Sequence, residues 1–452
     1  MTLANSQTGL TMPRSGWLRF PGSGLRPLRL GCEAQLDGNE VIYRLARELP
    51  SAAADLLEIA AMAYAADRLV SRPSDRKGRD GSGWGRQLWL EIPVRNPDMW
   101  NSVGGQVAAL LHWLTDDEWT VEFSQLSEGS GPLDTRQGFL FDTVPRSSSL
   151  ALFSGGLDSA LGLAHDLGTS GAVLVSVYTN NRMKAAQRRV LRALETAAGS
   201  ACVHLQYRVS LAEPERENSQ RTRGLLFLAT GIATAWTLGQ DQLRVFENGI
   251  GAINLPYLRS QEGPQATRSM HPRTLRMMED LASAVGRCFT IVAPYLHLTK
   301  AEVVRCVPEI ACAGIAAAIS CDMAFATRKP GPVQCGTCKS CLLRRQALIA
   351  GGRSDGDELS CYRTRSPAGA APLAAMTWQL DRLHDCLNTA DPWQGIVSEF
   401  PPIIDVERIA PAQLVRLYGA YVREWEAVDL NTFRLSGDRS AALCETTSWR
   451  AR

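Results

Sequence analysis

Residues 149–159 read Ser149-Leu150-Ala151-Leu152-Phe153-Ser154-Gly155-Gly156-Leu157-Asp158-Ser159. An apolar strand, Leu150 to Phe153, runs directly into a glycine turn, and Ala160-Leu161-Gly162-Leu163-Ala164 continues as a helix. Glycine has no Cβ, so a ligand can come close to the backbone of such a turn. The N–H groups of the turn and of the helix N-terminus together make an anion site. Ser154 and Ser159 add hydroxyl donors. Asp158 has no place in a plain phosphate cradle, and its carboxylate points to orienting the loop or holding a metal. The run lacks the lysine of a Walker A motif, which excludes an ordinary P-loop kinase or GTPase.

Working outward, apolar strands at 149–153, 172–178, 202–209, 242–248 and 289–292 alternate with helical stretches at 157–167, 183–197, 218–238 and 272–286. That alternation predicts an α/β fold with a doubly wound parallel sheet. Ligands of such sheets bind at the carboxyl ends of the strands, which puts Ser154, Tyr178-Thr179-Asn180 and Asn248-Gly249 on one rim. Upstream, residues 41–49 and 52–70 read as helices, the second with Leu56, Ile59, Ala60 and Ala63 on one face. Residues 71–85 read as a charged, glycine-rich loop. Strands at 87–94 and 119–123 flank a helix at 107–114. This predicts an α+β accessory domain over 1–137, with Trp89, Trp113 and Trp119 in its core, and a linker from 127. Downstream, 353–371 reads as a flexible connection. Amphipathic helices at 373–387 and 412–428 make a helical extension over 372–452.

A chain of 452 residues has room for two or three domains. With 45% hydrophobic and 21% charged residues it has the composition of a soluble globular protein. A formal charge of +2 argues against a broadly basic nucleic-acid surface, and no direct DNA binding is expected. No apolar run reaches the ~18 residues of a membrane span. Residues 1–14 have no apolar core with a cleavage site, so no secretory signal is read there. Twelve cysteines without such a signal point to thiols and metal rather than disulfides, and to a cytoplasmic protein.

The cysteines cluster in Cys335-Gly336-Thr337-Cys338-Lys339-Ser340-Cys341. Short Cys-x-x-Cys turns aim sulfurs at a common point, and soft thiolates suit tetrahedral Zn²⁺. A closed site needs a fourth ligand. Cys321 is the first choice, with Lys329-Pro330-Gly331-Pro332 reversing the chain between it and Cys335; Cys312 and Cys361 are the alternatives. A redox role is the other reading of the cluster. Structural zinc contributes about 10–16 kcal/mol in small peptides. That exceeds a domain's typical net stability, so loss of a ligand should unfold this region.

Together these residues carry a resemblance. Ser-Gly-Gly-Leu-Asp-Ser after a strand resembles the pyrophosphate loop of the N-type ATP pyrophosphatases, which split ATP between the α- and β-phosphates and adenylate a substrate. With Cys-Gly-x-Cys-x-Ser-Cys-Leu-Leu-Arg farther on, residues 148–350 resemble the QueC-like 7-cyano-7-deazaguanine synthases. Arg221-Thr222-Arg223-Gly224-Leu225-Leu226-Phe227 is similar to that family's Arg-rich helix start. Leu298-Thr299-Lys300-Ala301-Glu302-Val303 is similar to its Thr-Lys segment. The resemblance implies a HUP-type fold, like the adenine nucleotide alpha hydrolases. It also implies conversion of 7-carboxy-7-deazaguanine, ammonia and ATP into the nitrile through an acyl-adenylate and an amide. In its length and in Glu247-Asn248-Gly249-Ile250-Gly251-Ala252-Ile253-Asn254-Leu255-Pro256 the chain more closely resembles a longer QueC-like subfamily of bacterial anti-phage operons. There the resemblance implies joining the deazaguanine carboxylate to an amine of a partner protein.

The same resemblance implies site roles. Ser154, Gly155, Gly156, Leu157, Asp158 and Ser159 hold the pyrophosphate of ATP, with Asp158 supporting the loop or Mg²⁺. Lys300 neutralises phosphate charge; the plainer alternative is a solvated lysine at a helix start. Arg221 and Arg223 begin a helix, where the macrodipole disfavours cations unless an anion is near, so they are phosphate or carboxylate ligands or surface groups. Asn180 is assigned to the nucleotide, and Asn248 and Asn254 to the edge of the deazapurine, although asparagines after strands also form turns. Arg268 and His271, within Arg268-Ser269-Met270-His271-Pro272-Arg273, are assigned to the substrate, with a helix-cap role open for His271. No covalent nucleophile is required, because alignment and water exclusion suffice. That separates the reading from tRNA thiolases, which need reactive cysteines and a basic surface. The expectation is therefore a ligase using ATP, Mg²⁺ and Zn²⁺, with a protein amine or ammonia as acceptor and a homodimer open to it. A non-catalytic ATP- and zinc-dependent interaction module is the alternative of another class.

Overall fold

The computed structural model describes residues 14–38, 45, 48–72, 85–127, 149–167, 172–257, 267–325, 333–357, 362–429 and 434–435. Most of the helix expected at 41–49, the loop at 73–84, the linker at 128–137, the turn at 329–332 and Cys361 lie outside the described residues. The chain divides into two compact units, one of residues 1–146, 206–241 and 280–288, the other of 147–205, 242–279 and 289–452.

In the first unit, β1 (Arg14–Arg19) pairs antiparallel with β2 (Arg26–Leu30) and with β4 (Gln87–Val94), which runs parallel to β5 (Glu118–Gln125). Strand β3 (Ala34–Asp37) lies beside β2 and antiparallel to the end of β8 (Val203–Leu211). Helix α1 (Ser51–Leu69) is buried on every side rather than along the single apolar face expected for it. Its alanines let neighbours close in all round, and its acids are neutralised in place. Asp55 accepts from Arg95 (2.6 Å) and from the Trp100 indole (3.1 Å), and Asp67 from Arg86 (2.6 Å). Helices α2 (Pro97–Ser102) and α3 (Gly104–Thr115) precede β5, and α6 (Arg223–Leu238) packs against α1. Only Trp119 of the three tryptophans expected in the core is buried; Trp89 and Trp113 are half-buried. Alternation along β4 turns Trp89 outward with Gln87, where Arg19 stacks on its ring at 5.1 Å.

In the second unit, β6 (Ser149–Leu152), β7 (Ala172–Tyr178), β9 (Gln242–Arg244) and β10 (Thr290–Val292) are parallel, in the order β10-β9-β6-β7. The chain leaves β6 for β7 on one side, yet β9 returns to the other side. Strand β6 is therefore the switch point, where an α/β sheet opens its ligand crevice. Every residue of β7 is buried, which accounts for its unbroken apolar run. Leu161 and Leu163 of α4 (Leu157–Leu167), Val190 and Leu194 of α5 (Asn181–Ala198) and Ile315 of α10 (Ala311–Ala317) share one cluster with Leu174. The strand expected at 242–248 stops at Arg244, and the chain then runs on to α7 (Gly249–Ile253). Helices α8 (Pro272–Val285), α9 (Lys300–Cys306) and α11 (Lys339–Ala350) follow. The last helices, α12 (Ala371–Leu387), α13 (Pro392–Glu399) and α14 (Pro411–Glu426), share a core with α7, α9 and α11 that includes Ile250, Ala301, Leu342, Met376 and Leu417. This is the α/β, HUP-type arrangement expected. Among the described residues no helix is long and apolar enough to cross a membrane.

Candidate active site

The turn after β6 is shaped by its own serines. Phe153 N–H extends the ladder to the Val175 carbonyl (2.8 Å), and Ser176 Oγ donates to the Phe153 carbonyl. Gly155 then takes φ +76°, a left-handed conformation that favours glycine. Its N–H donates to Ser159 Oγ (3.1 Å), and Gly156 N–H donates to Ser154 Oγ (3.2 Å). Ser159 Oγ also donates to the Gly156 carbonyl (3.0 Å), and the two hydroxyls lie 3.1 Å apart. Leu157 puts its side chain into the core and offers the site only its backbone, at the N-terminus of α4.

Asp158, one residue on, has both carboxylate oxygens engaged. Asn248 Nδ2 donates to Oδ1 (3.1 Å), and Lys300 Nζ donates to Oδ2 (2.5 Å). Asn248 caps α7, its Oδ1 accepting from Gly251 N–H (3.1 Å), so the amide is fixed at both ends. Lys300 opens α9 behind a capping box. Thr299 Oγ1 accepts from Glu302 N–H (3.0 Å), and Glu302 accepts from Thr299 N–H (2.8 Å). Burial works against the Lys300 charge, but Asp158 and Glu247 more than offset it and its pKa is raised.

Glu247 was not singled out for chemistry from the sequence. It is half-buried beside the ion pair, and burial, reinforced by Asp158, pushes its carboxyl up to about 8, while Lys300 pulls the other way. The signal was its position just before Asn248, on the same rim. The loops after β6, β9 and β10 thus bring one ion pair, one neutral acid, a helix N-terminus and a glycine turn to the switch point. That constellation can take an anion whose charge Lys300 balances.

The other residues expected at the site have local partners. Asn180 stands at the end of β7 and caps α5, accepting from Met183 N–H (3.0 Å). Asn254 takes φ +50° after α7 and donates to the Thr267 carbonyl (3.2 Å). His271 is buried at the start of α8, with Nδ1 accepting from Arg273 N–H (3.2 Å). Burial, with Arg268 and Arg273 adding to it, pushes its pKa down to about 3, so its ring is neutral. The Arg268 carbonyl accepts from Thr274 Oγ1 (2.6 Å). Arg221 and Arg223 belong to the first unit, where Arg221 is buried and the Arg223 guanidinium lies 4.8 Å over the Phe227 ring.

The cysteine cluster forms with the fourth ligand that was preferred. The sulfurs of Cys321, Cys335, Cys338 and Cys341 all lie within 4.8 Å of one another. Cys335 and Cys341 are 3.9 Å apart, and Cys321 and Cys338 4.0 Å. Four Zn–S bonds of about 2.3 Å in a tetrahedron require about 3.8 Å between sulfurs, so the set fits a closed structural zinc site. Backbone N–H groups of Cys335, Thr337 and Cys338 point at the sulfurs (3.2–3.4 Å), as thiolates require. Cys312 is elsewhere, its sulfur 3.3 Å from Arg353 Nη1. The cluster is tied to the turn. Ile319, two residues before Cys321, donates its N–H to the Gly155 carbonyl (3.3 Å), and Arg344 of α11 holds the neighbouring Ala318 carbonyl (3.2 Å).

A family model described as "Queuosine biosynthesis protein QueC" matches residues 269–352. The 7-cyano-7-deazaguanine synthase of an Anaeromyxobacter species is 30% identical over 241 residues, covering 47% of this chain and 95% of the relative. Its namesake in Frankia casuarinae is 27% identical over 248 residues, covering 49% of this chain and 98% of the relative. That of Acinetobacter baylyi is 27% identical over 228 residues, covering 46% and 94%. These relatives are matched almost whole, while about half of this chain has no counterpart in them.

Proposed function

The chain belongs to the QueC family, and we propose that it adenylates 7-carboxy-7-deazaguanine with ATP and passes the acyl group to an amine. The observation that carries this reading is the Asp158–Lys300–Asn248 constellation behind a serine-shaped glycine turn at the sheet's switch point. A carboxylate oxygen attacks the α-phosphate, its bond to the bridging oxygen breaks, and pyrophosphate leaves. An amine nitrogen then attacks the acyl carbon, and AMP departs with the electron pair of the broken C–O bond. Charge grows on the phosphates in the first step, so donors placed there beforehand lower the barrier. The N–H groups of the first turn of α4 and Lys300 fill that role, and Asp158 and Asn248 keep the lysine and the loop in register. Asp158 accepts one protein donor at each oxygen, which fits its support of the loop, and Mg²⁺ brought by the nucleotide would add to the neutralisation. The four thiolates leave a zinc ion no open position, and its role is to hold the region that abuts Gly155.

For the acceptor we favour the amine of a partner protein, in antiviral defence. The support is the half of the chain that the relatives lack, which gives the enzyme surface beyond the synthase core. Ammonia, giving the free nitrile, is the second reading, and the name of the matched relatives favours it. The enzyme is incubated with ATP and 7-carboxy-7-deazaguanine, with either ammonium or lysate protein from cells lacking the gene. Pyrophosphate release and product masses are read. Nitrile with no protein adduct overturns the protein acceptor. No pyrophosphate with either acceptor overturns catalysis and leaves the binding module.

A further inference from the structure

Asp158 draws its two partners from the first turns of two helices, Asn248 at the cap of α7 and Lys300 at the start of α9. One later helix, α14, bears on both. At α7, a Cβ on Gly249 would lie 2.7 Å from Leu417 Cδ2 and 2.3 Å from the Leu296 carbonyl, so glycine is what lets Leu417 press in beside Asn248. At α9, Glu424 Oε1 accepts from Thr299 Oγ1 (2.8 Å) and lies 3.1 Å from Arg305 Nη2. Arg416 donates to both oxygens of Glu302 (2.5 and 3.2 Å) and to the His297 carbonyl.

These bonds are not scattered. Thr299 and Glu302 are the reciprocal pair that caps α9, and Lys300 is the residue after the cap. Glu424 is 2% and Glu302 5% exposed, so each charge is buried and oriented by its partner. Apolar packing alone would hold α14 in place. The polar contacts of Arg416 and Glu424 instead fall on the stretch 297–305 that carries the lysine.

We propose that Arg416 and Glu424 are positioning residues that clamp the Thr299–Glu302 cap from α14 and thereby set where Lys300 Nζ stands against Asp158. The proposal rests on the reading of Lys300 as the group that meets the nucleotide's phosphates. A lysine reaches along four flexible carbons, so its useful position depends on where its backbone is anchored. Misplacement of a catalytic group by about 1 Å can cost about a hundredfold in rate.

The test uses the full-length enzyme as Arg416→Ala, Arg416→Lys, Glu424→Gln and Lys300→Ala. ATP and 7-carboxy-7-deazaguanine are the substrates, pyrophosphate release gives kcat and KM, and thermal unfolding reports the fold. Acetylation of Lys300 by acetic anhydride across pH, read by mass spectrometry, reports the lysine's own titration. Arg416→Ala and Glu424→Gln are expected to lower kcat about ten- to a hundredfold. KM for the carboxylate should stay within about twofold. The Lys300 midpoint should fall as the lysine leaves Asp158, and Arg416→Lys should recover part of kcat. Glu424→Gln keeps the side chain's volume but gives up the charge that meets Arg305 at 3.1 Å, which loosens its hold on Thr299, so it serves if Arg416→Ala fails to fold. Folded variants with wild-type kcat, beside an inactive Lys300→Ala, overturn the clamp and leave the site reading intact. An unmoved Lys300 midpoint with activity lost only in step with unfolding also overturns it. A fully active Lys300→Ala removes the role of the lysine, and the clamp with it.

Discussion

Lys300 Nζ lies 2.5 Å from Asp158 Oδ2, joining residues 142 apart in sequence. The pair is mostly buried, with 15% and 14% of the two side chains exposed, so it is screened far less than a surface ion pair. The contact ties the first turn of α4 to the first turn of α9, and Asn248 holds the other carboxylate oxygen from α7. Three helix starts therefore converge on one carboxylate. On the proposed reading, a phosphate arriving at the turn would compete with Asp158 for the ammonium, while Asn248 would keep the carboxylate from following.

Asp158→Ala removes the hub and leaves Lys300 buried without its anion. The protein should remain folded, because the surrounding helices keep their apolar cores. Pyrophosphate release should fall at least about a hundredfold, the scale seen when a preorganised charge contact is removed. Steady-state release beside a circular dichroism spectrum checks both halves, and wild-type turnover would discredit the loop's role. Asp158→Asn, which keeps shape but not charge, should be nearly as slow.

Much of this site can be read along the chain, and the part that cannot has a physical reason. The turn is legible because a strand, glycines and hydroxyls act within eleven consecutive residues. Cys321 is legible from the reach of a zinc site. Glu247 escapes because its charge state arises only when β9 pairs with β6 and brings the carboxyl to Asp158. The bond between Asn248 and Asp158 escapes for the same reason, and so does the grip of Glu424 on Thr299 across 125 residues. In the first unit, Trp89 was misread because composition reports apolarity while the strand's alternation decides which face it takes. Helix α1 forms where it is expected, but its burial on every side escapes, because a row of alanines gives almost no periodic contrast.

Glu247 makes a distinct prediction about pH. Its carboxyl stands at about 8 in the folded chain against an ordinary 4.5, so the protonated form favours the fold. That contribution is complete below about 4.5 and is lost as the pH rises through about 8. Glu247→Gln carries a permanently neutral amide in its place. Melting temperatures should fall more steeply for wild type than for the variant between about pH 4.5 and 8. Parallel curves would mean that Glu247 is ionised throughout. Comparison with the variant is needed because Glu424, pushed up to about 7 by burial, loses its contribution as the pH rises through that value.

Cys338→Ser should couple metal, stability and activity. Cys338 supplies one of four sulfurs at the start of α11, so its loss opens the tetrahedron. Zinc content should fall well below one per chain, and the melting temperature should drop by several degrees. Because Ile319 hydrogen-bonds the Gly155 carbonyl, pyrophosphate release should fall as well. Elemental analysis, calorimetry and turnover on one preparation check all three. Unchanged zinc would break the ligand assignment, and full activity in the zinc-poor protein would break the link to the turn.

Gly155→Ala tests the turn itself. A side chain at φ +76° costs about 1–2 kcal/mol in the left-handed region. The new Cβ would also lie 3.1 Å from Gln187 Cα, a backbone atom of α5. The Gln187 side chain, tied to the Val177 carbonyl at 3.1 Å, crowds the same spot at 3.2 Å. Relief requires Gly155 to shift, which breaks its N–H bond to Ser159 and with it the ring that shapes the loop. The variant should lose a few degrees of melting temperature and bind ATP at least about tenfold more weakly, since about 1.4 kcal/mol is tenfold in affinity. Isothermal titration with a non-hydrolysable ATP analogue measures this. Wild-type affinity in a folded Gly155→Ala protein would show that the nucleotide does not rest on this turn.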